Sequence, residues 1–174
     1  WLDPRRHRSV VATLRRSGPN LETLSAIGMD PREIPLGPSL VHVRTAQVVR
    51  EIAELVEREN IALIHAQDFY TSLVATPAAL LTGRKLVLSR LDLAHWHGPR
   101  RRAALRWAYR AADRVWVNAW AIERQLVTEE GVDPRKIRVI ENGIDLERFD
   151  RRRKEGLSRE LPVPPGARIA VIVA

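Results

Sequence analysis

Short apolar runs alternate along this chain with longer amphipathic stretches, and few folds accommodate that pattern. A run too short for a helix, apolar on both sides, reads as a strand of a parallel sheet. The amphipathic stretch that follows reads as the crossover helix covering it. The runs are "SVVATL" at 9–14, "EIPL" at 33–36, "ALIHA" at 62–66, "KLVLS" at 85–89, "RVWVN" at 114–118 and "IRVIE" at 137–141. Between them, helices are expected over 20–28, 45–59, 68–83, 99–112 and from Asn118 towards Gly131. In the second, Val48, Val49, Ile52, Leu55 and Val56 recur at helical spacing. Pro77 marks a bend or break in the third, and Pro99 opens the fourth at the first helical position. The pattern predicts a three-layer α/β domain with a mostly parallel sheet.

The pattern changes after Phe149. "DRRRKEGLSRELPVPPGA" is charged and then proline-rich, with no apolar stripe, and reads as a linker over 151–167. "RIAVIVA", 168–174, reads as the first strand of a second, truncated α/β domain. The chain begins "WLDPRRHRSV", with neither an initiator methionine nor a signal peptide's hydrophobic region, so it is expected to be a piece of a longer protein. With 174 residues it can bury one good core, formed by residues 1–150.

Composition removes several kinds of chemistry. The absence of cysteine excludes disulfides, thiolate metal sites and cysteine nucleophiles. A net charge of +8, carried mostly by arginine, favours polyanions, phosphorylated ligands or anionic membrane surfaces. No familiar nucleic-acid-binding spacing accompanies that charge, so nucleic acid is not an expected partner. No apolar run is long enough to span a bilayer. There is no GxGxxG loop, no GxxxxGK(S/T) loop and no GxSxG elbow, which disfavours a self-contained dinucleotide, ATP or serine-hydrolase site. His95 and His97 with Asp92 lack distal partners for a metal, and no metal is expected.

In open α/β sheets ligands gather beyond the carboxyl ends of the strands. That rule selects His65, Gln67 and Asp68, then Arg90 and Asp92, then Asn118, and finally Asn142, Gly143 and Asp145. Each has a plainer role open to it. Asn118 and Asp145 are placed to cap helices, and Asn142-Gly143 to make a left-handed turn. His65 can equally bond a neighbouring carbonyl. Arg90 follows an apolar strand, so its side chain is expected at the ligand edge, where it is either a substrate contact or an arginine paired with Asp92.

The stretch "AADRVWVNAWAIERQLVTEEGVDPRKIRVIENGIDLERF", 111–149, resembles the end of the N-terminal domain of glycosyltransferases of family 4. These retaining enzymes have the GT-B fold of two facing Rossmann-like domains. The residues that carry the likeness are Ala112-Asp113-Arg114-Val115, Gly131-Val132, Pro134, Lys136-Ile137, Val139-Ile140, Asn142-Gly143-Ile144-Asp145 and Phe149. Upstream, "IALIHAQDFYTSLVATPAALLTGRKLVLSRLD" resembles the family's central section, with Gln67 where many members have a second histidine and "SRLD" in place of "TxH".

The resemblance implies a Rossmann-like, acceptor-side domain over 1–150. It also implies transfer of a sugar from a nucleotide-sugar donor to a hydroxyl of a saccharide or lipid-linked acceptor. Arg90 and Asp92 take the catalytic positions; His65, Gln67, Asp68, Asn118, Asn142 and Gly143 take substrate-binding ones. No cofactor is implied, because the nucleotide-sugar is itself the donor substrate, held mainly by a second domain beyond Ala174. The implied setting is cytoplasmic cell-envelope polysaccharide synthesis. A non-catalytic binding module of the same fold and a GT-B sugar-nucleotide epimerase are the alternatives.

One further feature lies outside that pattern. On the helix at 99–112, Arg102, Arg106 and Arg110 share a face, while Ala104, Trp107, Ala108 and Ala111 line another. A basic ridge of this kind suits peripheral contact with an anionic membrane, and suits an ordinary solvated face equally. In the second case Trp107 belongs to the core.

Overall fold

The computed structural model describes residues 3, 5–18 and 20–147. The linker and last strand expected at 151–167 and 168–174, with Phe149, lie outside them. The chain divides into two units, residues 1–141 and 142–174.

In the first unit the expected alternation is present. Its elements are β1 (Ala12–Thr13), α1 (Asn20–Ala26), β2 (Arg32–Glu33), α2 (Val43–Arg58), β3 (Leu63–Ala66) and α3 (Phe69–Thr82). After these come β4 (Lys85–Arg90), α4 (Pro99–Ala111), β5 (Arg114–Val117), α5 (Trp120–Thr128), a 3₁₀ turn (Pro134–Lys136) and β6 (Ile137–Val139). Every strand pairing is parallel: β1 with β2 in a short sheet, and β3-β4-β5-β6 in a second sheet whose spatial order follows the chain. The protein is therefore a Rossmann-like α/β domain, as its sequence pattern implies.

Right-handed crossovers between strands in sequential order place every connecting helix on one face of the sheet. The core agrees. Leu86 and Leu88 of β4 and Val115 and Val117 of β5 pack with Ala79 of α3, Leu105 and Ala108 of α4, and Leu126 of α5. Strand residues of the opposite parity, Leu63, His65, Val87, Trp116 and Arg138, keep part of their surface in solvent. A smaller cluster seats Val48 and Leu55 of α2 against Val74 of α3 and Ile34 beside β2.

Local chemistry explains the element ends. Asp68 caps α3 with a capping box: its carboxylate accepts from Thr71 N at 2.9 Å and its own N–H donates to Thr71 Oγ1 at 3.1 Å. Gly83 ends the helix at φ +64°, a conformation that suits glycine. The helix runs through Pro77 without a break. Pro77 lies on the side turned away from the sheet, so the carbonyl of Leu73 that it leaves without a donor meets the outer surface. Pro99 does open α4 behind Gly98.

Two turn-chemistry expectations give way. Asn118 does not cap α5; Ala119 holds that position with no side-chain bond. No left-handed turn forms at Asn142-Gly143, neither residue having positive φ. The backbone leaves β6 without reversing, so the αL conformation that favours Asn-Gly is not called for.

Candidate functional site

The carboxyl ends of β3 and β4 open into a cleft of about 300 Å³. Its lining includes Gln67, Asp68 and Phe69 after β3, Ser89, Arg90 and Asp92 at the end of β4, and Trp96, His97, Arg101 and Tyr109 further along the chain. The strand-end rule thus brings together Gln67, Asp68, Arg90 and Asp92.

It does not bring His65 with them. Alternation along β3 turns Ala66 towards the helices and His65 to the opposite face. There the His65 Nε2 lies 2.7 Å from Ser89 Oγ, and its ring sits 5.5 Å from that of Trp116. Burial holds the His65 imidazole below its ordinary pKa, although the residue keeps an exposed edge. Asn118, at the end of β5, does not line the cleft, and its Oδ1 is buried without a hydrogen-bond partner. Asn142 and Gly143 belong to the second unit and are exposed. Asp145, in the same unit, is exposed as well.

Arg90 is not the exposed edge residue that its position after "KLVLS" implied. It is 5% exposed. Its parity within β4 matches that of Leu86 and Leu88, so its stem points under the helix layer. The guanidinium is then committed on every side. Nε donates to the Asp92 carbonyl at 2.7 Å, and Nη2 to the Leu93 carbonyl at 3.1 Å and Glu130 Oε1 at 3.3 Å. Nη1 lies 3.5 Å from the Tyr109 hydroxyl, and the Asp92 carboxylate 3.4 Å from Nε. A planar fork with five donors can serve such a web, whereas an ammonium cannot.

The web explains the loop that follows. Ala94, 1% exposed, has φ +40°, which costs an L-residue roughly 1–2 kcal/mol. Arg90 holds the two carbonyls just before it, and His97 N–H donates to the Ala94 carbonyl at 2.9 Å. Arg102 Nε then donates to the His97 carbonyl at 3.0 Å. The loop is clamped from both ends, and it presents Trp96 and His97 to the cleft.

The residues that sequence reasoning missed are the members of this web and its rim. Glu130 is 4% exposed, and burial raises its pKa despite the opposing charge of Arg90. Its second oxygen, Oε2, is buried without a hydrogen-bond partner. Burial pushes the Tyr109 phenol up to about 12, so it stays protonated. Burial first, then Arg90 and Arg101, hold the His97 imidazole below its ordinary pKa. His97 Nδ1 is buried with no partner, and its ring lies 5.0 Å from that of Phe69, over which Arg101 stacks at 5.3 Å. Tyr109 lay outside the apolar line that periodicity picked out on its helix, and nothing local marked Glu130. Among the described residues no group of His, Asp and Glu is arranged to hold a metal.

Aromatic, imidazole and short polar side chains thus stand together at the carboxyl edge of a parallel sheet, where open α/β folds take their ligands. The family model for Glycosyltransferase Family 4 matches residues 1–148. The chain belongs to that family. It is similar in fold to Anabaena HepE, solved with UDP and glucose: TM-score 0.65, 21% identity, 83% of this chain and 39% of that one. It is similar also to a glycosyltransferase from Rickettsia africae: TM-score 0.65, 15% identity, 90% of this chain and 40% of that one. A third likeness is to a Listeria monocytogenes structure assigned as a UDP-N-acetylglucosamine 2-epimerase: TM-score 0.57, 23% identity, 74% of this chain and 35% of that one. At these identities the likeness is one of fold, and the chain spans less than half the length of each. No curated protein matches it in sequence.

Proposed function

We propose that this domain is the acceptor-binding half of a retaining glycosyltransferase, which moves a sugar from a nucleotide-sugar to a hydroxyl of a saccharide or lipid-linked acceptor. The observation that carries the reading is the clamped loop at 91–98, which brings Trp96 and His97 into one cleft with Gln67 and Asp68. An indole face suits the apolar side of a sugar ring, while a side-chain amide suits its hydroxyls. HepE was solved with UDP and glucose, which supports a nucleotide-sugar donor for an enzyme built on this plan.

In this reading Arg90 acts through the loop it holds, and Asp92, exposed beside it, is the side chain free to meet an acceptor hydroxyl. Charge on the departing diphosphate is met mainly from the donor domain. The work is placed in cell-envelope polysaccharide synthesis on the cytoplasmic side.

The test is steady-state kinetics of the whole enzyme with Trp96→Ala and Gln67→Ala. Loss of a stacked ring or a paired hydroxyl contact, about 1–2 kcal/mol each, should raise the acceptor KM about tenfold and leave the donor KM unchanged. A raised donor KM with a normal acceptor KM would overturn the assignment. The likeness to the Listeria structure keeps an epimerase in view; it would consume a sugar-nucleotide with no acceptor present.

A further inference from the structure

Helices α3 and α4 lie side by side on the same face of the sheet. Helix α3 contains no charged residue at all. The side of it turned away from the sheet carries Tyr70, Pro77, Leu80 and Leu81 at i, i+7, i+10 and i+11. Leu80 is 58% exposed and Leu81 72%.

Helix α4 contains no acid. Its outward stripe is Arg100, Ala103, Trp107 and Arg110, with Arg106 on the flank. Trp107 is 46% exposed, so it is not the core residue that a solvated ridge implied. None of Arg100, Arg106 and Arg110 makes an ion pair with a carboxylate among the described residues.

The neighbouring helix shows what an ordinary solvated face looks like here. On α2, Arg44 pairs with Glu51 at 2.6 Å and Arg50 with Glu54 at 2.8 Å. Mixed, paired charge of that kind has no need of a partner. An uncharged apolar stripe lies beside an acid-free arginine stripe, of which Arg106 and Arg110 also border a small pocket lined by Glu130 and Asp133.

We infer that the outer surface of α3 and α4 docks on an anionic membrane surface, Leu80, Leu81 and Trp107 entering the headgroup boundary and Arg100, Arg106 and Arg110 meeting lipid phosphates. Charge complementarity selects a polyanion, and the leucines select one with an apolar interior. Both requirements are met by a bilayer, where tryptophan sits at the interface and arginine reaches to the headgroups along its apolar stem. A nucleic acid would satisfy the arginines alone. No described helix is long and apolar enough to cross a membrane, so the contact is peripheral. The inference stands apart from the sugar-transfer reading, because it concerns the face of the helix layer and not the cleft.

Co-sedimentation of this chain with phosphatidylcholine vesicles, with and without 30% phosphatidylglycerol, tests it at low and at physiological salt. The expected result is recovery with the anionic vesicles only. Arg106→Gln and Arg110→Gln should each weaken binding about fivefold, the equivalent of roughly 1 kcal/mol for a basic residue near an anionic surface. Leu81→Ser with Trp107→Ser should leave binding at low salt and abolish it at physiological salt, where screening exposes the loss of the apolar contribution. All four side chains are exposed or half-exposed, and a thermal melt confirms that each variant is folded. Equal recovery on neutral and anionic vesicles would overturn the inference. So would serine variants that bind as the unaltered chain does, with duplex DNA competing fully; that result would mark a nonspecific polyanion ridge.

Discussion

Arg90 shows how much one side chain's surroundings change its meaning. By position it is a strand-end arginine at a ligand edge; by burial it is the central member of a web with Glu130, Tyr109 and two loop carbonyls. Breaking a buried pair from one side leaves the other charge uncompensated, at a cost of about 3–5 kcal/mol. Arg90→Ala and Glu130→Ala should therefore each lower stability by about that amount in urea unfolding, a large share of a typical domain's 5–15 kcal/mol. The double variant Arg90→Met/Glu130→Leu should lose less than the two single losses together, since neither charge is left behind. Additive losses would mean that the two residues do not act as a pair. Arg90→Lys should fare little better than alanine, because one ammonium cannot span both carbonyls and the carboxylate.

At the scale of elements, Asp113 ties the start of β4 to the start of β5. Its N–H donates to the Leu86 carbonyl at 2.9 Å, and its carboxylate accepts from Leu86 N at 2.9 Å and Lys85 Nζ at 2.8 Å. The Lys85 bond first, then the Leu86 amide, hold its carboxyl below the usual carboxylate pKa of 3.8. A folded pKa below the unfolded one means a contribution fully present above the unfolded value and lost as pH falls through the folded one. The side chain is about one-third exposed, so solvent screens the ion pair, and Asp113→Ala should cost about 1–2 kcal/mol at neutral pH. That difference should shrink towards zero between about pH 5 and pH 2. Urea melts across that range check it; a difference that does not vary with pH would show that the carboxylate's charge is immaterial.

For the whole molecule, the chain spans less than half the length of the GT-B structures it resembles, and its described cleft offers aromatic and polar groups. The 174-residue chain by itself should therefore release no nucleoside diphosphate when incubated with mixed nucleotide-sugars and saccharide acceptors. Turnover like that of a whole GT-B enzyme would show that one domain suffices, and would remove the two-domain reading. The parallel sheet explains why a single domain can nonetheless hold a shaped site. All four strands of the larger sheet point their carboxyl ends one way, so the loops after β3 and β4 converge on one edge.

Sequence alone determined what depends on neighbours along the chain. The order of strands and helices, the opening of α4 at Pro99 and the terminating Gly83 follow from periodicity and backbone preference, which are local. The strand-end rule likewise found Gln67, Asp68, Arg90 and Asp92. Tertiary structure decided which face each strand-end residue turned to. It sent His65 to one side of the sheet and Arg90 to the other, although the two read alike in the sequence. It also supplied Glu130, which lies 40 residues from its partner Arg90, and it brought the uncharged α3 beside the acid-free α4. Contacts made across the sheet leave no periodic trace in either segment, so packing was needed to reveal them.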